Sequence, residues 1–368
     1  MIIFIALSAI HAMVFLSLVF FWIKTPQTSR ANIRGKSFSI ILPVRNESEN
    51  IEKLLTEIEQ QSYSKDLYEV IVIDDNSEDN TAEIVKDFIN RGNNQFHYSL
   101  LNESGKKAAI EQGIGLAKNK YILATDGDCS VGKNWIASFA EGYEDEQVVM
   151  QTGPVKMEGR GLLSLFQSVE FSMLIGFGAA ALRSGHPLTC NGANLSYKKE
   201  AFLDVKGYNG NRQIPSGDDE FLLSKLHAKY PGSIFFLKNP LAIVTTSSKR
   251  DLGELINQRL RWSSKWKFHK NAFTILASVY FFIDYLFYLA YLLLFFLGKT
   301  ELTPFAATVS IRVACDLFLI ISVAHFFSTS RLRAMLVGVA LQIIYPAFVS
   351  FLGLASIFGK YSWKGRKY

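Results

Sequence analysis

Residues 121–130 read YILATDGDCS. A short apolar run, 121–124, stops at two carboxylates, Asp126 and Asp128, with one glycine between them. The run suits a buried β-strand. Just beyond a strand, residues i and i+2 point to the same side if the chain stays extended, so the two carboxylates converge. Two converging like charges repel unless a positive partner joins them. A divalent cation is such a partner, since Mg²⁺ is typically held by one or two carboxylates plus substrate phosphates. Gly127 leaves room for a phosphate to approach. An isolated acid-Gly-acid turn is ordinary, so its setting decides the reading.

Upstream the same arrangement recurs. FSIIL (38–42) reads as a buried strand and leads into PVRNE. EVIVI (69–73) reads as a second strand and leads into DDNSED, with Asp74 and Asp75 first. A third strand is expected at 96–101 and a helix at about 106–118. Asn46 and Glu49 look like a capping-box pair ahead of IEKLLTEIEQ. Ser77 is placed to cap the next helix, whose apolar face includes Ile84, Val85 and Phe88. Strands alternating with helices predict an α/β fold with a Rossmann-like, mostly parallel sheet. Ligands of such sheets bind beyond the carboxyl ends of the strands, where these polar clusters lie. An acidic residue ending the second strand suits a base or ribose. Lys106, where a helix should begin, would face a diphosphate together with free backbone N–H groups.

Downstream, IPSGDDEFLLSKL (214–226) puts Gly217, Asp218 and Asp219 at a helix start. The helix dipole favours a carboxylate there. A carboxylate held beside an acceptor hydroxyl also acts as a general base. INQRLRWSSKW (256–266) sets Gln258, Arg261 and Trp262 on adjoining parts of one amphipathic helix. Arg261 suits a diphosphate, and Trp262 suits a sugar or a neighbouring helix. The same helix also fits a headgroup-level position.

The 368 residues are 49% hydrophobic with net charge +6. The charge is small and scattered, and no nucleic-acid partner is expected. Three cysteines, Cys129, Cys190 and Cys315, lie too far apart for a disulfide framework, and the six histidines have no zinc-ligand spacing. Apolar residues crowd both ends. Residues 1–23 are long enough to span a bilayer. No basic segment precedes them and no cleavage site follows, which favours an uncleaved anchor. Lys24, Arg30, Arg34 and Lys36 follow, placing the next domain in the cytoplasm of a multi-pass cell-membrane protein. Further apolar stretches cover about 272–298, 304–327 and 334–358. Arg312 and Asp316 are one turn apart and able to pair on one face. Asp284 is expected to face protein or water. Arg331 and Arg333 fit a cytoplasmic loop, although four full spans put the basic tail 359–368 outside. Residues 160–182 are apolar apart from Arg160, Gln167 and Glu170, and read as an interfacial or a buried domain helix. The expected domains are an anchor at 1–23, a catalytic domain at 36–268 and a membrane region of about three helices at 272–359.

The order of these motifs resembles the membrane-anchored family 2 inverting glycosyltransferases of GT-A fold over roughly 36–268. Their signature is shared by ceramide glucosyltransferases and polysaccharide synthases. Pro43, Arg45, Asn46 and Glu47 match the family's opening pattern, and Asp74 and Asp75 its nucleotide-binding acidic pair. Gly105 and Lys106 match its Gly-Lys element, with Gly113 downstream and Glu111 where asparagine is usual. Asp126 and Asp128 match D-x-D, and Gly192 in CNGAN the small-residue motif near the sugar. Asp219 takes the base position, Asp218 replaces the usual glutamate, and Gln258, Arg261 and Trp262 complete Q-x-x-R-W. The resemblance implies a nucleotide-diphosphate sugar donor, expected to be a UDP-sugar, with Mg²⁺ or Mn²⁺ on Asp126 and Asp128. It implies inverting transfer to a lipid or membrane-associated glycan hydroxyl, with Asp219 as base. The alternatives are a processive polysaccharide synthase or a non-catalytic sugar-nucleotide-binding membrane module. A pyrophosphorylase lacks support because PVRNESEN has no glycine. A transporter lacks support because no internal repeat is found.

Overall fold

The computed structural model describes residues 2–31, 35–268, 271–358, 362–363 and 366–367. Arg34 and most of the tail 359–368 lie outside the described residues. In chain order, the first half holds α1 (Ile2–Lys24), β1 (Phe38–Val44), α2 (Ile51–Glu59), β2 (Tyr68–Asp74), α3 (Thr81–Asn90), β3 (Phe96–Leu100) and α4 (Lys106–Leu116). β4 (Tyr121–Ala124), β5 (Cys129–Val131), α5 (Trp135–Gly142), β6 (Met150–Thr152), β7 (Val155–Glu158) and α6 (Leu162–Arg183) follow. Next come β8 (Leu195–Lys198), α7 (Lys199–Asp204), α8 (Asp218–Lys229), β9 (Ile234–Phe236) and β10 (Val244–Ser247). The chain closes with α9 (Leu252–Ser263), α10 (Ala272–Phe296), α11 (Leu302–Phe326) and α12 (Arg331–Phe358).

These elements form two compact units. A sheet unit comprises Pro26–Glu158 and Thr189–Ser247, and a helical unit comprises Met1–Thr25, Gly159–Leu188 and Ser248–Tyr368. The division differs from the expected 36–268 domain, because 159–188 and 248–268 group with the long apolar helices.

The main sheet of the sheet unit has seven strands in the order β3-β2-β1-β4-β8-β6-β9, and β5, β10 and β7 form a second sheet of three. β1 pairs in parallel with β2 from Phe38↔Tyr68 to Val44↔Asp74, and with β4 from Phe38↔Tyr121 to Ile41↔Ala124. β8 runs antiparallel to both β4 and β6, so the sheet is mixed but mainly parallel. Ile40, Ile41, Leu42, Val70, Val72 and Ile73 are fully buried. That burial explains why β1 and β2 read as apolar runs without alternation. α4 lies close on this sheet because residue 113 is glycine: a Cβ there would stand 2.7 Å from Ile41 Cγ2. β1 and β4 are neighbours although β2 and β3 extend the other way, a topological switch point. The carboxyl ends of β1, β2 and β4 therefore meet in one crevice, the place where open α/β sheets bind ligands.

Two helix starts differ from expectation. α2 begins at Ile51 with Asn50 at its N-cap, and Asn46 sits outside it at φ +52°. α3 begins at Thr81, and Ser77 instead donates through N–H and Oγ to Asp74 Oδ1 at 2.9 and 2.6 Å. Asn46 Oδ1 accepts from Glu78 N at 2.8 Å, while Asn46 N donates to Ser77 Oγ at 3.0 Å. These short polar side chains tie two strand-end turns together rather than capping helices.

In the helical unit, α1, α6, α10, α11 and α12 are each long and apolar enough to cross a membrane, among the described residues. α1 packs against α11, α6 and α10, and α12 packs against α11, α10 and α9. Small residues set the approach: a Cβ on Gly176 would lie 2.3 Å from Val323 Cγ2, and one on Gly338 2.6 Å from Leu317 Cδ2. Val169, Ile320, Ala324, Ala334, Val337 and Leu341 form the apolar core between α6, α11 and α12. His11 of α1, Asp284 of α10 and Arg312 and Asp316 of α11 join one buried network. Arg312 does not pair with Asp316 as expected. Its Nη1 and Nη2 donate to Asp284 at 2.8 and 2.6 Å. His11 stands between the acids, with Nδ1 3.0 Å from Asp284 Oδ2 and Nε2 2.7 Å from Asp316 Oδ1. Pairing across helices wins because a bidentate guanidinium–carboxylate fork is stronger than a contact along one face. A cavity of about 20 Å³ lies against Arg312 and Asp316, enough for one water.

Candidate functional site

The crevice is built from three strand ends. Pro43 lies past Ile41, the last β1 residue paired with β4. Arg45, next in the turn, donates to the carbonyls of Asp75 (2.7 Å) and Asn76 (3.1 Å) and to Glu78 Oε1 (3.0 Å). Glu47 N donates to Thr81 Oγ1 at 2.8 Å. The motif at 43–47 thus fastens the end of β1 to the turn after β2. Asp74 is buried, and both its oxygens are engaged inside the unit: Oδ1 by Ser77 and Oδ2 by the Tyr98 hydroxyl at 2.9 Å. Asp75 Oδ2 accepts from Gly105 N at 3.1 Å, joining the second strand end to the start of α4.

At the third strand end, Lys106, the first residue of α4, reaches across to the acids. Its Nζ lies 2.7 Å from Asp126 Oδ1 and 3.1 Å from Asp218 Oδ2. Burial alone would drive the Lys106 ammonium down, but Asp126 and Asp218 outweigh it and raise its pKa above the ordinary lysine value. Burial would raise Asp218, but the charge and hydrogen bond of Lys106 outweigh it and lower that carboxyl. Asp219 Oδ2 accepts from Gly192 N at 2.9 Å, and its Oδ1 accepts from Glu220 N at 2.8 Å. Gly217 adopts φ +81°, a left-handed turn that suits glycine, and starts α8 at Asp218. Gly192 is glycine for space: a Cβ would stand 3.0 Å from Asp218 Oδ2 and 3.2 Å from Lys106 Nζ. Lys106, Asp126, Gly192, Asp218 and Asp219 therefore form one cluster.

The room beside Gly127 is not open. A Cβ there would meet Glu47 Cγ at 2.9 Å and Val44 Cγ1 at 3.1 Å, so the glycine lets the D-x-D turn lie against the β1 turn. Asp126 and Asp128 are partly exposed hard oxygen donors. Among the described residues no group of three His, Cys, Asp or Glu stands at metal-ligating spacing. The donor set thus fits a hard divalent cation that takes its other ligands from phosphate and water. Burial, with Asp128 and Asp126 nearby, raises the Cys129 thiol well above its ordinary pKa, so no thiolate ligand is offered.

Gln258, Arg261 and Trp262 lie on α9 in the helical unit. There Trp262 lies 5.9 Å from Phe171 of α6, ring to ring. Between the motif positions sits Arg259, which pattern reading missed. It is buried, donates to Glu170 through Nε (3.2 Å) and Nη2 (2.5 Å), and donates to Gln258 Oε1 at 2.7 Å. Its guanidinium carbon stands 4.2 Å from the Trp262 ring centroid. Glu170, an acid inside an apolar stretch, was the signal that a buried cation must exist elsewhere in the chain. Lys107 and Glu111, also missed as functional residues, grip the loop before α8.

Comparison with known proteins bears on the family and the fold. Residues 39–205 match the family described as Glycosyl transferase family 2. The chain is 38% identical over 235 residues to Glycosyltransferase AglE of Haloferax volcanii, covering 61% of this chain and 70% of that protein. It is 31% identical over 244 residues to the poly-β-1,6-N-acetyl-D-glucosamine synthase of Staphylococcus aureus. That match covers 65% of this chain, which spans 56% of the synthase's length. In fold, the chain resembles the mannosyltransferase PcManGT of Pyrobaculum calidifontis, solved with GDP-Man and Mn²⁺, at TM-score 0.60 and 16% identity. That likeness covers 97% of this chain and 98% of the other.

Proposed function

The chain belongs to glycosyltransferase family 2, and from that membership we propose that it moves one sugar from a nucleotide-diphosphate sugar to a lipid hydroxyl at a membrane surface. The observation that carries the proposal is the cluster at the switch point, where Lys106 joins Asp126 to Asp218 beside Asp219. In the reaction, the acceptor oxygen attacks the anomeric carbon from the face opposite the diphosphate. The carbon–oxygen bond to the diphosphate breaks, its electron pair leaves with the phosphate, and the configuration inverts. Asp219 Oδ2 takes the acceptor proton. Lys106 offers positive charge to the departing diphosphate. Asp126 and Asp128 would hold Mg²⁺ or Mn²⁺, which when bound neutralises charge on the phosphates. A UDP-sugar is the donor first in line, with GDP-mannose beside it because PcManGT was solved with that nucleotide sugar.

Membrane attachment supports a lipid acceptor. β6 and β8 pair directly in one sheet, yet α6 lies between them in sequence. The ends of α6 thus return to one folded unit, which suits a helix lying in the interface rather than a full span. α1, α10, α11 and α12 remain as four spans. On that count the positive-inside bias puts Arg331 and Arg333 in the cytoplasm. Few helices are then left to enclose a polymer channel. The second reading, a processive synthase, rests on the 31% identity to the poly-N-acetylglucosamine synthase.

The test is product size. Purified protein is incubated with UDP-N-acetylglucosamine, UDP-glucose or GDP-mannose, Mn²⁺ and extracted membrane lipids, and products are weighed by mass spectrometry. A lipid heavier by one sugar is expected. A polymer ladder would favour the synthase, and donor binding without transfer would favour a non-catalytic module.

A further inference from the structure

We propose that Lys107 is the residue that positions the base, acting through the backbone of the loop that feeds α8. The inference rests on the assignment of Asp219 as base. Lys107 neighbours Lys106 but points elsewhere and is buried. Its Nζ donates to the carbonyls of Asn211 (2.8 Å), Ile214 (2.9 Å) and Ser216 (3.1 Å). An ammonium has three N–H groups, and these three carbonyls use all of them. The rings of Phe221 and Tyr208 lie 5.0 and 5.9 Å from the same nitrogen, within reach of cation–π attraction.

The arrangement is deliberate in its spacing. Ser216 comes two residues before Asp218, so its carbonyl sets where α8 begins. One helical turn along α4, Glu111 grips the same loop: Oε1 accepts from Tyr208 N at 3.1 Å, and Oε2 pairs with Arg212 Nε at 3.0 Å. Glu111 therefore has a local task. At the loop's other end, Lys225 Nζ donates to the carbonyls of Val205 (3.4 Å), Gly207 (2.6 Å) and Asn209 (2.7 Å). Residues 205–216 thus wind around two ammonium groups, with Lys206, Gly207 and Gly210 in left-handed conformations that turn carbonyls inward. Lys107 is the clamp nearer the reacting groups. α4 then uses successive lysines for two purposes: Lys106 meets the acids, and Lys107 holds the segment that delivers Asp218 and Asp219. Misplacing a reacting group by about 1 Å costs on the order of 10²-fold in rate.

The experiment is a double-mutant cycle on the full-length protein in detergent, using the donor that turns over best. Lys107→Met is expected to lower kcat about 10²-fold while KM for the donor, and calorimetric affinity for UDP or GDP with Mn²⁺, stay within about twofold. In an Asp219→Asn background, the same substitution should cost less than about threefold, because the placed group no longer acts as a base. A loss that persists in full in that background overturns the positioning role and makes Lys107 a general stability residue. Lys107→Arg is the second variant, for use if the methionine protein does not fold. Its larger head does not fit three carbonyls, so kcat should fall at least about tenfold at unchanged nucleotide affinity. Wild-type kcat in Lys107→Arg overturns the proposal. Unchanged turnover in Asp219→Asn alone is a separate result: it removes the base assignment, and this inference with it.

Discussion

Asp126 meets Lys106 at 2.7 Å, while Asp128 lies 3.8 Å from the Cys129 thiol. The two acids of the D-x-D turn are therefore not equivalent, and the second is the cleaner probe of metal binding. Exhaustive treatment with EDTA is expected to abolish transfer, and added Mn²⁺ or Mg²⁺ to restore it. Asp128→Ala should weaken UDP binding at least about tenfold, the loss reported for perturbing a metal's supporting groups, when Mn²⁺ is present. It should leave binding unchanged in EDTA, as titration calorimetry would measure. Full transfer without free divalent metal sinks this reading. The acids were legible in the sequence because the turn that carries them follows an apolar run in a βα array, at the end of the sheet where ligands bind. Lys107 was not. One-dimensional spacing distinguishes faces of a helix but does not reveal that distant loop carbonyls surround one lysine. Asp74 was legible as a strand-end acid, yet its oxygens serve Ser77 and Tyr98, a use that no pattern announces.

Helices α6 and α9 illustrate the same limit one level up. The amphipathic pattern of α9 and the apolar stretch of α6 were both readable. Their union was not, because Arg259 and Glu170 lie 89 residues apart. Both side chains are nearly inaccessible, 5% and 4% exposed. Removing one partner of such a pair leaves an uncompensated buried charge, at a cost of ~3–5 kcal/mol. Arg259→Met should therefore lower the thermal midpoint in detergent clearly. Combining it with Glu170→Leu should recover most of the loss, since apolar replacement of both charges is often neutral. An unchanged midpoint in Arg259→Met would mean the pair does not bind α9 to α6. Gln258 and Trp262 both touch Arg259, so the single variant should also disturb the Q-x-x-R-W side chains, and the compensated one should not restore them. Helix starts failed for a related reason. Asn46 and Ser77 have the right chemistry for caps, but bonds between neighbouring turns claimed them first.

Across the whole molecule, chain order and spatial grouping part company. The helical unit gathers Met1–Thr25, Gly159–Leu188 and Ser248–Tyr368, so its polar network joins residues from both ends of the sequence. The sequence showed where the long apolar stretches and their charges lie, but not which charges meet. His11 and Arg312 face Asp284 and Asp316, so two basic and two acidic side chains balance in one buried cluster. His11→Leu breaks that balance and should destabilise the helical unit by ~3–5 kcal/mol, read as a lower midpoint in detergent. His11→Leu with Asp316→Leu should regain most of it. A neutral single variant would remove the network's role in holding α1. The balance also has a timetable. Chains are made from the amino end, so His11 is synthesised 273 residues before Asp284 and 305 before Asp316. At about 5–20 residues per second, that is a wait of roughly 15–60 s. Throughout it, His11 is without both of its acids. The contacts of α1 with α10 and α11 can therefore close only after most of the chain has been made. If α1, α10 and α11 span a bilayer as proposed, any cellular surveillance that detects unpaired polar side chains there would find an unfinished chain until α11 is inserted.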